Sequence, residues 1–365
     1  SKDTLQKNLI KTINVYNSEI EKVSELNTAP SVKDIVKFLN NDPQKISWTS
    51  SLYPKILNKV YSTFNGDRTV VSLYRPYNKQ WLYFDSLMNH RTGQMKTIFP
   101  VKSAKNLLIC VSGLGAKNFS TLITDTPPCL DNIEKGQCFP LYLYDEDGSN
   151  RRNAITDAGL RHFTSFYASD DISREDVFYY IYGLLHSNDL LSRYADNLSK
   201  ELPRIPRVKK VEDFHAFRQA GRDLAELHLN YENIPMFPAK VESSAIEDSD
   251  YRILKMKHPK VKVDGKSVDD LSTVVVNNRI TVSNIPAEAY EYVVNGKSAI
   301  KWVMERQQVK TDKASGIVND PNDWAVETME NAKYPLELLL RVITVSVETM
   351  KIVKSLPRLQ TETDD

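Results

Sequence analysis

Cysteine is scarce in this chain, which has only Cys110, Cys129 and Cys138 among 365 residues. So few thiols argue against the disulfide framework of a small secreted domain and favour a reducing compartment. None of the three lies beside another cysteine or a histidine at a spacing typical of zinc ligands. We therefore interpret them as buried or idle thiols and predict no metal site.

Long apolar runs are missing as well. No run approaches the roughly 20 residues that cross a bilayer, so we expect no contact with a membrane. The opening segment, SKDTLQKNLIKTINVYN, lacks the apolar centre and the cleavage site of a signal peptide. It has the pattern of a helix that continues from an upstream domain. The lack of a signal peptide, together with the few thiols, predicts a cytoplasmic location.

Signatures of catalysis are also absent. The chain has no GxxxxGK[ST] phosphate loop, no GxSxG nucleophile elbow and no HExxH zinc motif. Gly113 and Gly115 begin a GxG pattern, but Asn118 stands where a dinucleotide fingerprint requires its third glycine, so we expect a turn. His215 and His228 share a predicted helix but are too far apart for a compact ligand pair. We predict no catalytic residue in this chain.

Charge is balanced overall, since 48 Lys and Arg residues face 47 Asp and Glu residues, but it is unevenly distributed. Residues 86–124 contain no acidic residue. The cations of that stretch are Arg91, Lys96, Lys102, Lys105 and Lys117. Those of a second basic run, RILKMKHPKVKVDGK, are Arg252, Lys255, Lys257, Lys260, Lys262 and Lys266. Either segment alone is compatible with random surface lysines, whereas both together favour a local phosphate-binding surface.

Hydrophobic periodicity predicts an α+β protein in which helices and strands occur in blocks. We expect a helical connector over residues 1–57 and a second domain over residues 58–365. The second domain is predicted to change from β-rich (58–150) to helical (151–232), then to a small β meander (250–285) and to helices (286–356).

Several local predictions can be checked directly. Ser31 and Ser173 are expected helix N-caps, the second in a capping box with Asp176. FPLYLYD is expected to form one short strand. The meander is expected to consist of YRILKMKH, STVVVNN and RITVSNI, with a tight turn at Asn277-Asn278.

Two adjoining segments combine basic, amide and aromatic residues. In YRPYNKQWLYFD a turn is expected at residues 76–79, and core packing explains the rings, which leaves Arg75 and Lys79 for phosphate or base contacts. The following NHRTGQM contains Asn89, His90, Arg91 and Gln94. Amide and guanidinium groups read base edges through paired hydrogen bonds, and they equally fix loops. Spacing alone leaves both roles open.

Longer segments are specific enough to indicate a family: LYRPYNKQWLYFD, NHRTGQM, KGQCFPLYLYDE, FYYIYGLLHS, RYADNLSKELPRIPRV, AGRDLAELHLNYE, AYEYVVNGKSAIKWVMERQQVKTDKASGIVNDPNDW and LLLRVITVSVETMKIVKSLP. From about Asp3 to Leu356 the chain resembles the C-terminal specificity domain of Type ISP restriction–modification enzymes. In that family one polypeptide carries a nuclease, a helicase-like translocase, a helical coupler, an adenine methyltransferase and a target recognition domain. The resemblance implies that this chain is the last part only.

The implied role is to hold a short asymmetric DNA duplex while the neighbouring methyltransferase flips out and methylates an adenine. The methyltransferase and helicase domains would be partners within the same polypeptide. Asp320-Pro321-Asn322-Asp323 lacks the second proline and the aromatic residue of the (N/D)PP(Y/F) methyltransferase motif, and the methyl-donor glycine motif is absent. This fragment is therefore expected to be inactive and to hold no cofactor, whereas the parent would use S-adenosylmethionine, ATP and magnesium.

We predict DNA contacts from the basic and amide residues of the central region: Arg75, Lys79, His90, Arg91, Gln94, Lys96, Lys117, Asn118, Arg151, Arg152 and Asn153. The residues assigned to phosphates are Lys79, Lys96 and Lys117. The residues assigned to bases are Arg91, Gln94, Asn118 and Arg152. Because such reading residues vary within a family, loops 113–118, 127–135 and 255–270 are also expected to carry them.

A protein–protein docking or coupler module with little direct DNA contact is the alternative. Its supporting feature is the long apolar segment PLELLLRVITVSVETMKIVKSL near the end of the chain. A helix of this kind is able to pack on a neighbouring domain.

Overall fold

The computed structural model of the chain describes residues 1–26, 30–168 and 171–364. The α-helices are α1 (Lys2–Ser24), α2 (Val32–Ile35), α3 (Leu52–Leu57), α4 (Met95–Ile98), α5 (Asp157–Tyr167), α6 (Arg174–Leu184), α7 (Asn188–Arg193), α8 (Ala195–Leu198), α9 (Val211–Leu229), α10 (Ala299–Arg306), α11 (Pro321–Glu327) and α12 (Tyr334–Ser355). Short 3-10 helices cover Gly66–Arg68, Asp248–Tyr251 and Ala287–Tyr290.

The strands are short and form several small antiparallel sheets. They are β1 (Thr69–Arg75), β2 (Asn78–Tyr83), β3 (Leu108–Val111), β4 (Thr121–Thr124), β5 (Gln137–Pro140), β6 (Tyr142–Leu143), β7 (Arg152–Asn153), β8 (Lys240–Ser243), β9 (Lys260–Val263), β10 (Lys266–Asp269), β11 (Val274–Val275), β12 (Ile280–Ser283), β13 (Val293–Val294), β14 (Lys297–Ser298), β15 (Lys310–Thr311) and β16 (Val318–Asn319). The predicted α+β class, with helices and strands in blocks, is confirmed.

Residues 1–57 form a small cluster with its own apolar core. Helix α1 buries Tyr16, Ile20 and Val23 at helical spacing, and they pack against residues of α2, α3 and the segments between them. Ser31 is the N-cap of α2, as predicted. Leu87 and Met88 pack onto this core from the loop after β2, so the cluster is joined to the rest of the chain.

A three-stranded sheet, ordered β4–β3–β5, divides the remaining core into two halves. Because successive side chains of a strand point to opposite faces, Leu108 and Cys110 enter one apolar cluster while Ile109 and Val111 enter the other. One face is covered by α5, α6 and α9. The other is covered by β11, β12, α10 and α12. All four residues of β3 are buried, so this strand is the centre of the fold.

Helices α6 and α9 cross at a pair of glycines. A Cβ placed on Gly221 would lie 1.8 Å from the carbonyl oxygen of Tyr179, and one on Gly183 would lie 2.1 Å from that of Phe217. Only a residue without a side chain permits this approach of the two backbones. The start of α6 is fixed by the predicted capping box, in which Ser173 and Asp176 bond reciprocally to each other's backbone amides.

Helix α12 lies inside the chain. Its apolar residues pack against α9, α10 and the 3-10 helix Ala287–Tyr290, and residues such as Leu338, Val342 and Val345 are fully buried. Its apolar surface is therefore used within this molecule. The feature that supported the docking alternative does not offer a free face to a neighbouring domain.

The predicted meander is wrong in one of its three strands. Val274–Val275 and Ile280–Ser283 pair around Asn277, as predicted, but the third strand is Lys240–Ser243 and not YRILKMKH. Strand β8 carried no apolar signal because all of its residues are exposed at the edge of the sheet.

In YRILKMKH, the segment expected to be a strand, the backbone amide and carbonyl of Ile253 are hydrogen-bonded by a side chain. The Ile253 amide donates to the side-chain oxygen of Asn322, and the Asn322 amide nitrogen donates to the Ile253 carbonyl, both at 2.9 Å. A side chain therefore takes the place of a partner strand. Only Lys257 makes an isolated bridge, to Val275.

Two smaller differences concern the first β region. The hairpin turn after β1 consists of Pro76 and Tyr77, with Tyr77 in the left-handed conformation at φ 57°, so Asn78 and Lys79 already belong to β2. The predicted strand FPLYLYD is interrupted at Leu141, because its two halves pair with different partners, β3 and β7.

Candidate nucleic-acid interface

The segment after β2 is held in place by its own polar residues. The Asp85 carboxylate accepts hydrogen bonds from the amides of Leu87 and Met88 and pairs with Arg68. The Asn89 side chain accepts from the Asp85 amide at 2.7 Å. Asn89 therefore fixes the loop and is not a free reading group. This resolves, for Asn89, the two roles that spacing left open.

The other polar residues of this loop differ in how free they are. The His90 ring hydrogen-bonds to Ser51 at 3.0 Å, which links the loop to the N-terminal cluster. Arg91 is exposed, with a left-handed backbone at φ 54°, and its guanidinium has no hydrogen bond or ion pair within the described residues. Gln94 is the N-cap residue of α4, is exposed, and makes no side-chain capping bond. Among the polar residues of this loop, Arg91 and Gln94 are available to a ligand.

The loop between β3 and β4 is shaped by a close backbone contact. A Cβ on Gly113 would lie 1.9 Å from the Lys135 carbonyl oxygen, so glycine is required there. The Lys117 backbone amide donates to the Glu134 carboxylate. The Lys117 side chain takes no part in this bond and is exposed. The exposed Asn118 side chain lies against Gly296.

This contact also brings Lys135 next to the loop, where its ammonium donates to the Gly115 carbonyl at 2.8 Å. Lys135 lies in loop 127–135, which was expected to carry reading residues, but its contact with the loop of Lys117 was not predicted. No local pattern indicates the contact; only the pairing of β3 with β5 produces it.

Residues 151–153 lie beside an acidic turn. Arg152 forms an ion pair with Asp145 at 2.8 Å, and hydrogen bonds from Asn150 and Arg152 lower the pKa of the Asp145 carboxyl. Arg151 lies over the ring of Tyr142 at 4.6 Å. Asn153 is exposed in β7. The charge of Arg152 is therefore partly balanced by its neighbour, which weakens it as a DNA contact.

Arg75 and Lys79 are not free, contrary to the expectation from sequence. The Lys79 ammonium forms an ion pair with Glu232 at 2.6 Å, and the side chains are only 18% and 10% exposed. Arg75 lies over the ring of Tyr74 and donates to the Tyr74 carbonyl and to the Cys129 sulfur. A phosphate at Lys79 would require breaking a largely buried pair, so we do not retain these two residues as candidates.

Apart from the loop of His90, Arg91 and Gln94, the remaining candidates lie in two groups at opposite ends of β3. Lys117 and Asn118 follow the Val111 end. Lys96 and the segment 151–153 lie at the Leu108 end, where Tyr144 bonds to the Thr97 and Lys105 backbones and β7 pairs with β6. Strand β3 itself spans roughly 10 Å between these two ends.

All three cysteines are free thiols, buried or half-buried, and two of them lie close together. Cys110 and Cys138 are directly opposite each other on β3 and β5, with their sulfur atoms 3.4 Å apart. Within the part of the chain that the structure describes, His, Cys, Asp and Glu side chains form no group of three or more that could hold a metal ion. No helix in the described ranges has an apolar stretch long enough to cross a bilayer.

Comparison with known proteins places these features in a family. A family model described as the Type ISP C-terminal specificity domain matches residues 1–338. The chain belongs to this family. The specificity domain predicted from the sequence segments is thereby confirmed. A search of curated proteins found no match.

Solved structures of Type ISP enzymes are similar along almost the whole chain. A nuclease-deletion mutant of LlaGI in complex with a DNA substrate mimic is 38% identical with a TM-score of 0.86, covering 99% of this chain and 32% of the LlaGI chain. LlaBIII bound to DNA is 36% identical with a TM-score of 0.84, covering 99% of this chain and 22% of the other. DrdV in a DNA complex is 31% identical with a TM-score of 0.81, covering 99% of this chain and 34% of the DrdV chain. This Type ISP specificity domain thus spans about a third or less of the length of these chains.

Proposed function

We propose that this domain recognises a specific sequence in double-stranded DNA and positions it for an adjacent adenine methyltransferase and an ATP-dependent translocase-nuclease. The observation that carries the proposal is the similarity of the whole chain, at 38% identity, to part of an enzyme solved with a DNA substrate mimic. The local geometry supports it, because Arg91, Lys96 and Lys117 are cations without an ion pair among the described residues.

The division of labour follows from the side chains. Lys96, Lys117 and the neighbouring Lys135 carry charges suited to phosphates, which set affinity and register. Arg91 and Gln94 combine exposure with paired hydrogen-bonding groups, which suits them to base edges in the major groove. His90, Asn118, Arg151, Arg152 and Asn153 complete the proposed interface.

We propose that this domain is not itself an enzyme and holds no cofactor. S-adenosylmethionine, ATP and magnesium would be bound by the methyltransferase and helicase domains of the same polypeptide. A cytoplasmic location goes with this proposal, because the substrate would be DNA in the cytoplasm. Incubating the purified chain with plasmid DNA and magnesium is expected to leave the plasmid uncut; nicking or cleavage would contradict the proposal.

The proposed function is tested by binding to duplex DNA over a range of salt. Fluorescence anisotropy with labelled random-sequence duplexes is expected to show binding that weakens steeply between about 50 and 200 mM salt. The log–log slope counts phosphate contacts, at about 0.9 for each. No binding at the lowest salt would refute the proposal and favour the docking alternative.

Arg91 offers the sharpest test of base reading. Arg91→Ala is expected to weaken binding to the cognate site by about 1–3 kcal/mol, and to weaken binding to other duplexes less. The matched control is Arg161→Ala, an exposed arginine on α5, which is expected to bind like the wild type. The cognate site is obtained beforehand by selection from a randomised duplex pool. Equal losses on cognate and unrelated DNA would reassign Arg91 to the phosphate backbone.

A further inference from the structure

The β9–β10 hairpin is exposed along its whole length. Every residue of 260–269 is solvent-accessible, so the element contributes nothing to the apolar cores. Two-stranded hairpins are marginally stable in water. An exposed hairpin that is nevertheless well formed points to a role outside the molecule's own packing.

Local geometry holds the shape of this hairpin. Asp264 and Gly265 form the turn with φ of 48° and 78°, the pair of positive angles that a tight type I′ hairpin turn needs. At the other end Lys260 and Asp269 form an ion pair at 2.7 Å. The strands are in regular antiparallel register between these two points.

The base of the hairpin is fastened to the core while the tip projects. Lys257 and Val275 exchange two backbone hydrogen bonds, at 3.0 and 2.8 Å. The His258 ring bonds to the Thr273 carbonyl at 2.8 Å. Val274, in the same strand as Val275, is fully buried. The hairpin is therefore a rigidly mounted ribbon and not a loose loop.

The tip presents a mixture of groups that suits base edges. Lys262 and Lys266 lie on either side of the turn with side chains able to donate hydrogen bonds to a ligand, the Asp264 carboxylate is able to accept them, and Val263 offers methyl groups. In the major groove, lysine matches guanine acceptors, a carboxylate matches the cytosine amino group, and methyl groups match thymine. A carboxylate at the tip would be repelled by a phosphate backbone, so the tip suits bases rather than the outside of a duplex.

A cationic groove adjoins the base of the hairpin. It has a volume of about 600 Å³ and runs between Asp269 on β10 and the exposed side of α10. Lysines and an arginine line it, whereas Asp269 and Glu305, its acidic lining residues, are each engaged by a lysine at 2.7 and 2.5 Å. The cations that line the groove are Lys255, Lys301, Arg306 and Lys310.

We propose that the β9–β10 hairpin enters the major groove of duplex DNA and reads bases there, while the adjoining phosphates lie in the cationic groove beside α10. The width of the major groove admits a two-stranded ribbon. The inference rests on the proposed function and adds a second reading element, distinct from the Arg91 loop.

The test compares two double variants of equal charge. Lys262→Ala/Lys266→Ala removes the tip cations, and Lys209→Ala/Lys210→Ala removes two exposed cations from the segment before α9, on the opposite side of the central sheet. Each protein is used to select sequences from a randomised duplex pool, and its binding is then titrated with salt. Because all four lysines are exposed, circular dichroism is expected to show unchanged folding.

The hairpin variant is expected to bind roughly tenfold or more weakly and to select a consensus that has lost at least one position, while the control matches the wild type. An unchanged affinity and consensus would overturn the inference and leave the proposed function intact. A smaller salt slope with an unchanged consensus would mean that the tip touches phosphates only, which also overturns it. No DNA binding by the wild type would overturn both proposals.

Discussion

Lowering the pH from 7 to 5 is expected to reduce the free energy of unfolding of this domain by roughly 4 kcal/mol through two buried histidines. Burial lowers the pKa of His186 to about 4 and that of His228 well below its usual value. Well above the ordinary histidine pKa of about 6.5 neither state holds a proton on these rings. Below it the unfolded chain takes up protons that the folded chain cannot, so stability falls as the pH falls towards 4.

The geometry explains why these rings remain neutral. The His228 Nδ1 meets the Tyr182 hydroxyl at 2.6 Å and its Nε2 meets the Thr349 hydroxyl at 2.9 Å, while its ring stacks on Tyr292. The His186 Nδ1 bonds to the Tyr182 carbonyl at 2.8 Å, and its Nε2 has no partner among the described residues. A second proton on either ring would place a charge in this enclosed junction of α6, α9 and α12.

Urea unfolding at pH 7 and pH 5 measures this effect. His186→Gln retains a donor for the Tyr182 carbonyl but does not titrate, and it is expected to remove about half of the pH dependence. His162→Gln alters an exposed ring and serves as the control, with the pH dependence of the wild type. If the His186 variant and the wild type lost the same stability between the two pH values, His186 would not contribute and the predicted share of the effect would be wrong.

Gly221→Ala is expected to destabilise the domain by about 3 kcal/mol, a reduction in Tm of roughly 4 °C. The added methyl group would lie 1.8 Å from the carbonyl oxygen of Tyr179. This is backbone, which cannot move aside as a flexible side chain would. Helices α6 and α9 would have to separate, and the apolar cluster on that face of the central sheet would lose its close packing.

Gly159→Ala in α5 is the matched control. The nearest atoms to its added Cβ, on the side chains of Ile155 and Thr156, are at 3.4 Å, an ordinary contact distance. Since alanine favours a helix over glycine, the control is expected to leave stability unchanged or to raise it by up to about 1 kcal/mol. Thermal unfolding followed by circular dichroism compares the two variants. A Gly221 variant as stable as the control would show that the helix crossing tolerates a side chain.

The candidate interface was only partly predictable. Arg91 and Gln94 were predicted from an acid-free basic stretch and an amide-rich loop; both are exposed, and their DNA contacts stay predictions. Lys79 was misjudged, since its partner Glu232 is 153 residues away and no pattern near Lys79 indicates it. The β9–β10 hairpin lies in a predicted basic run and in loop 255–270, which was expected to carry reading residues, but its hairpin shape was not predicted. The sequence does contain a turn signal for it, Asp264-Gly265 between alternating lysines and valines.

The sequence alone determined the features that depend on neighbours along the chain. Helix α6 follows from its capping box and helix α12 from closely spaced apolar residues, and the family followed from long continuous segments. Tertiary structure alone decided which strand joins β12, which cations are neutralised, and which hairpin is left exposed. These depend on partners far apart in the chain, whose meeting is set by the packing of the whole core and leaves no local signal.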